Sequence, residues 1–72
     1  MSFDQYITIT PDIRNGKPCL AGTRITVYDI LDYLAGGMTE AEMLDEFPSL
    51  QPIHFRAAIA FAAARERRLA AA

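Results

Sequence analysis

Twelve consecutive residues, Gly16 to Val27 (GKPCLAGTRITV), restrict this chain more than any other stretch. They hold two glycines, a proline, two cations and a pair of threonines just ahead of the first helix-forming segment. Asn15-Gly16 favours positive φ and a tight hairpin turn. Pro18 fixes its own φ and removes a backbone donor. Gly22-Thr23-Arg24 then sets a permissive backbone joint beside a hydroxyl and a guanidinium. Such a block confines the chain to a turn, an extended piece and a helix start in quick succession.

On the N-terminal side, Tyr6-Ile7-Thr8-Ile9-Thr10 alternates and is rich in β-branched residues, which predicts a strand that Pro11 ends. Ile13-Arg14, the Asn15-Gly16 turn and Cys19-Leu20 predict a short hairpin, with Arg24-Ile25 as a last extended piece. Strands this short need something to lie on. On the C-terminal side, Thr26 and Asp29 have capping-box spacing, and Ile25 and Ile30 occupy the hydrophobic-staple positions. Val27, Ile30, Leu31 and Leu34 follow a helical stripe with Asp29 and Asp32 opposite, and Gly36-Gly37 supplies a left-handed stop. Thr39 and Glu42 repeat the box, with Met38 and Met43 as the second staple. Met43, Leu44 and Phe47 form the buried side of that helix, and Pro48 closes it.

The third helix starts near Pro52, a residue suited to the first helical position. Phe55, Ala58, Ile59, Ala62 and Leu69 share one face, while Ala57, Ala60 and Ala64 lie on the other side with Ile53. Residues 57–64 therefore have almost no polar face, which predicts burial on more than one side and a subunit or partner contact. High helix propensity explains an alanine run equally well. The expected fold is mainly α. It is a single domain over residues 1–72, with a short N-terminal β-strand or hairpin extension at 1–25 and a trihelical, helix-turn-helix core at 26–72.

Seventy-two residues leave no room for a second domain. A chain this short buries only about 60% of its unfolded surface, so association favours its stability. No apolar run is long enough to cross a bilayer, and Met1-Ser2-Phe3-Asp4 lacks the features of a signal peptide. The lone Cys19 reads as a small apolar filler. Together these place the chain in the cytoplasm, with no membrane partner. Charge is segregated: residues 1–28 carry +1, residues 29–50 carry −6 and residues 51–72 carry +3, for a total of −2. An acidic belt between weakly basic ends is a poor footprint for solitary nucleic-acid binding and suits a protein partner better.

NGKPCLAGTRITV resembles the signature of the domain of unknown function 433 family, written as G-K-P, a few apolar residues, then G-T-R-I-x-V. The likeness runs from about Ile7 to Arg65. Gly36-Gly37-Met38-Thr39-Glu40-Ala41-Glu42 is similar to the family's G-x-(S/T)-x-E-E segment, and Phe47-Pro48-Ser49-Leu50 to its aromatic-Pro-x-Leu step. Arg56 to Ala63 resembles its A-L-x-Y-A helix. The resemblance implies a homeodomain-like helical core with a β extension. It also implies an antitoxin of a type II toxin–antitoxin pair, binding and neutralising a PIN-like nuclease encoded nearby and repressing its own operator. One segment departs. Members commonly open the third helix with Thr-Pro-Glu-Asp, whereas this chain has Gln51-Pro52-Ile53-His54. Either Ser49 caps an earlier start or this end faces a partner.

No catalytic constellation is legible. His54 is the only histidine, and no serine or cysteine has a base at a recognisable spacing. The expectation is no enzyme, no cofactor, no metal and no small-molecule substrate. The candidate DNA-reading residues are Arg24, Gln51, His54 and Arg56, the last three at the start of the third helix. Candidate partner residues are Phe55, Ile59, Phe61, Arg65, Arg67 and Arg68, with a homodimer expected. Arg24 has two readings, a bidentate grip on phosphate or carboxylate or a clamp on its own chain at Asp29, Asp32 or a carbonyl. Arg65, Arg67 and Arg68 either complement the helix dipole or meet an acidic partner. Alternatives to the antitoxin are a stand-alone helix-turn-helix regulator and a structural adaptor.

Overall fold

The computed structural model describes residues 3–71. Met1, Ser2 and Ala72 lie outside the described residues, and so does the leader reading of Met1-Ser2. The chain forms two short strands, β1 (Ile7–Thr8) and β2 (Cys19–Leu20), then three helices, α1 (Val27–Ala35), α2 (Glu40–Glu46) and α3 (Pro52–Ala71). The mainly helical architecture with an N-terminal two-strand hairpin follows the sequence expectation. The hairpin's internal pairing does not.

Only Ile7 and Thr8 of the expected strand are extended in a ladder, pairing antiparallel with Leu20 and Cys19. Residues 9–18 form the connection, so Asn15-Gly16 is not a two-residue hairpin turn. Arg14, Asn15 and Gly16 instead make one left-handed turn with φ of 50, 59 and 77°. Left-handed φ is costly for Arg14 and Asn15, which carry a Cβ. The Arg14 side chain holds the turn in place: Nη1 donates to Asp29 Oδ2 at 2.9 Å and to the Arg24 carbonyl at 2.9 Å. The internal clamp expected of Arg24 therefore belongs to Arg14.

Both expected capping boxes are present. Thr26 Oγ1 accepts from the Asp29 N–H at 2.9 Å while Asp29 Oδ2 accepts from the Thr26 N–H at 3.1 Å. Thr39 and Glu42 make the same exchange at 3.1 and 2.9 Å. At the end of α1 the left-handed residue is Gly37 (φ 102°), one position after the cap. There the Met38 N–H reaches the Tyr33 carbonyl and the Gly37 N–H reaches Leu34, completing a Schellman motif.

Leu20, Val27, Ile30, Met43, Leu50, Phe55, Ala57 and Ala58 form the buried core, so α1, α2 and β2 all close on α3. Gly22 sits at φ 80° with open space where a Cβ would project. A Cβ there meets nothing, so Gly22→Val is expected to cost mainly backbone strain, about 1–3 kcal/mol. A urea midpoint unchanged from the parent protein would contradict this account.

Candidate partner and nucleic-acid surfaces

The structure sorts the expected site residues by exposure. At the start of α3, Gln51 and Arg56 are exposed, and so is Arg24 in the loop between β2 and α1. His54 is not: it is 5% exposed, edge-on to the Tyr6 ring at 6.3 Å. Its Nδ1 accepts from the Gln51 N–H at 3.0 Å. The imidazole occupies the third helical position and does what a capping-box glutamate does, reaching back to satisfy the N-cap donor. Hence α3 begins at Pro52, without an earlier start at Ser49, and His54 is withdrawn from the base-reading set.

That bond requires a neutral imidazole, since a protonated Nδ1 is a donor and has no lone pair to offer. Burial also pushes the His54 pKa below its ordinary value. Between the folded and unfolded pKa values the unfolded chain binds more protons, so stability rises with pH in that window and is lost as pH falls below about 6.5. The urea midpoint should fall between about pH 7.5 and 5.5. His54→Gln keeps the backward bond without titrating, and should flatten the profile there. A profile equally steep in that variant would place the titration elsewhere. Asp29 adds a separate loss in more acid solution. Burial opposes its ionisation, but hydrogen bonds from the Thr26 N–H and from Arg14 outweigh this and hold its pKa below the ordinary carboxylate value.

Of the candidate partner residues, Phe55 is 1% exposed and belongs to the core. It is fully covered by the body of the domain and is withdrawn from any partner surface. Ile59, four residues on, is 50% exposed. Phe61 is half-buried, with Arg65, Arg67 and Arg68 exposed beyond it. The Arg65 guanidinium lies 5.9 Å from the centre of the Tyr28 ring, a cation–π contact that ties the helix's far end to α1. Leu69 is 67% exposed on the final turns.

A groove of about 290 Å³ runs between the N-terminal segment and α3. Phe3, Asp4 and Ile7 line one side, Ala57, Ala60, Phe61 and Ala64 the other, and Arg67 and Arg68 stand at the C-terminal end. The alanines were legible as a stripe. The groove itself was not, because nothing local in the sequence says that Phe3 and Ile7 lie beside them. Among the described residues, no three His, Cys, Asp or Glu side chains are grouped to hold a metal ion. No helix among them is long and apolar enough to cross a membrane.

Residues 7–62 match the family model described as protein of unknown function, DUF433. The chain belongs to the DUF433 family. A crystal structure of a DUF433 member from Anabaena variabilis superposes with a TM-score of 0.80 at 27% identity, over 88% of this chain and 62% of that one. The uncharacterized protein y4eO of Sinorhizobium fredii is 38% identical over 64 residues. That match takes in 89% of this chain and 29% of the relative, so this chain spans under a third of the longer protein's length.

Proposed function

We propose that this DUF433 chain is the antitoxin of a type II toxin–antitoxin pair, a cytoplasmic homodimer that neutralises a PIN-like nuclease encoded beside it. The observation that carries the reading is the far half of α3. There a groove with Phe61 and alanines on one wall and Asp4 on the other ends in Arg67 and Arg68, with Arg65 one turn back. An apolar wall ending in exposed cations suits an acidic protein partner. Nuclease sites that use divalent metal hold it with clustered carboxylates, and a guanidinium binds carboxylate bidentately. An arginine placed there displaces the cation and with it the activated water. The exposed Ile59 and Leu69 supply apolar area for the second subunit.

Co-expression with the adjacent reading frame tests the proposal. The neighbour should arrest growth alone and be harmless when this chain is made in excess. A neighbour that is harmless alone, or toxic in both cases, rejects it. A second reading, binding to operator DNA, is favoured by one separate observation. Gln51 and Arg56 stand exposed at the start of α3, after the turn from α2, where a recognition helix contacts base edges.

A further inference from the structure

A second, open depression, of about 550 Å³, is lined by Thr8, Thr10, Ile13, Gly22, Thr23, Arg24 and Ser49. Four separate segments converge on it: the end of β1, the connection after it, the Gly22-Thr23-Arg24 turn and the turn between α2 and α3. Its lining holds one permanent cation, four hydroxyl groups and no carboxylate.

The turn that carries Arg24 is firmly built. Thr23 Oγ1 donates to the Leu20 carbonyl at 2.8 Å and accepts from the Ile25 N–H at 3.0 Å. Arg14 grips the Arg24 carbonyl from behind. The Arg24 side chain itself makes no hydrogen bond or ion pair among the described residues, and the Gly22 and Arg24 N–H groups are likewise uncommitted. The structure thus spends Thr23 and Arg14 on fixing a loop whose guanidinium and two backbone donors have no partner.

We infer that this depression seats the sugar-phosphate backbone of duplex DNA, with Arg24, the hydroxyls of Thr8, Thr10 and Ser49 and the Gly22 and Arg24 N–H groups as the donors that hold a phosphate. Guanidinium, hydroxyl and backbone N–H groups are the donors that position proteins on phosphates. The depression is open and shared by four segments, so a strand can lie across it. Ser49 places the depression two residues from Gln51, so a strand seated here passes beside the start of α3. This inference rests on the operator-binding reading.

The full-length protein labelled with ¹⁵N is titrated with a duplex of about 20 base pairs from upstream of its own gene, enough for two half-sites. A parallel titration uses inorganic phosphate. The duplex should shift the amides of Gly22, Arg24 and Ser49 along with Gln51 and Arg56, at concentrations where phosphate of equal charge does not. Shifts confined to Gln51 and Arg56 overturn the phosphate seat and leave DNA reading intact. Equal shifts with inorganic phosphate alone assign a free-anion site and also overturn it. No shift with the duplex removes both the seat and the operator reading. In Arg24→Gln the slope of log K against log salt should become shallower by roughly 0.9, the share of one phosphate. The melting temperature should stay unchanged, because the exposed side chain holds nothing within the fold. An unchanged slope overturns the assignment.

Discussion

Phe55→Ala should remove a large share of this domain's stability. Its ring is 1% exposed and is the largest fully buried side chain, packed among Leu20, Val27, Ile30 and Met43. Truncating a core phenylalanine costs about 3–5 kcal/mol, transfer and cavity together. A 72-residue domain has roughly 4–11 kcal/mol in all, so the loss takes most of the reserve at the lower end. Ile59→Ala, one helical turn on and half exposed, should cost far less, within about 1 kcal/mol of parent stability. Denaturation followed by circular dichroism checks both. Comparable losses in the two variants would mean that Ile59 is covered in solution, which favours the dimer. Parent-like stability of Phe55→Ala would contradict the assigned core.

Those two residues also show how far the sequence could be read. Phe55 and Ile59 share a face by helical spacing, and both were expected to contact a partner. Only the rotation of α3 on the body separates them. The helix offers no sequence signal for that rotation, because alanines and other apolar residues surround it from 57 to 64. A helix with polar residues on one side declares which face is buried, and this one does not. The helix starts, by contrast, were fully legible. A capping box is a contact between residues three apart, so Thr26 with Asp29 and Thr39 with Glu42 carry their geometry in the spacing. The start of α3 at Pro52 was equally legible, but its His54 cap escaped detection because a histidine stands where the pattern has glutamate. Strand pairing was the least legible. Two-residue strands leave almost no periodicity, and the turn-forming Asn15-Gly16 pair pointed to a tight hairpin. A left-handed turn stands there instead, held by Arg14 contacts to residues ten and fifteen positions away. Spacing rules carry no information at that range.

Under the antitoxin proposal, reversing charge at Arg65, Arg67 and Arg68 together (each →Glu) should abolish neutralisation of the nuclease while the domain still folds. The three side chains are exposed, and Arg65 alone has a described contact, over Tyr28. Losing an exposed cation–π pair costs about 0.5–1 kcal/mol. Acids in the last turns oppose the helix dipole by some 0.3–1 kcal/mol each where exposed. The folded state therefore weakens moderately, and circular dichroism should still record a cooperative transition. Binding suffers more, since breaking one partner of a desolvated charge pair costs about 2–5 kcal/mol. Even a single lost pair lowers affinity by roughly thirtyfold, at about 1.4 kcal/mol per decade. Arg67 and Arg68 border the groove beside α3, so Glu at both positions should account for most of the loss, with Arg65→Glu adding less. Growth rescue and pull-down of the co-expressed nuclease give the readouts. Full rescue by the folded triple variant would move the partner surface off the end of α3. Loss of rescue with an unfolded variant is resolved by Arg67→Gln with Arg68→Gln, which removes the charges without opposing the dipole and must still impair binding if this surface is used.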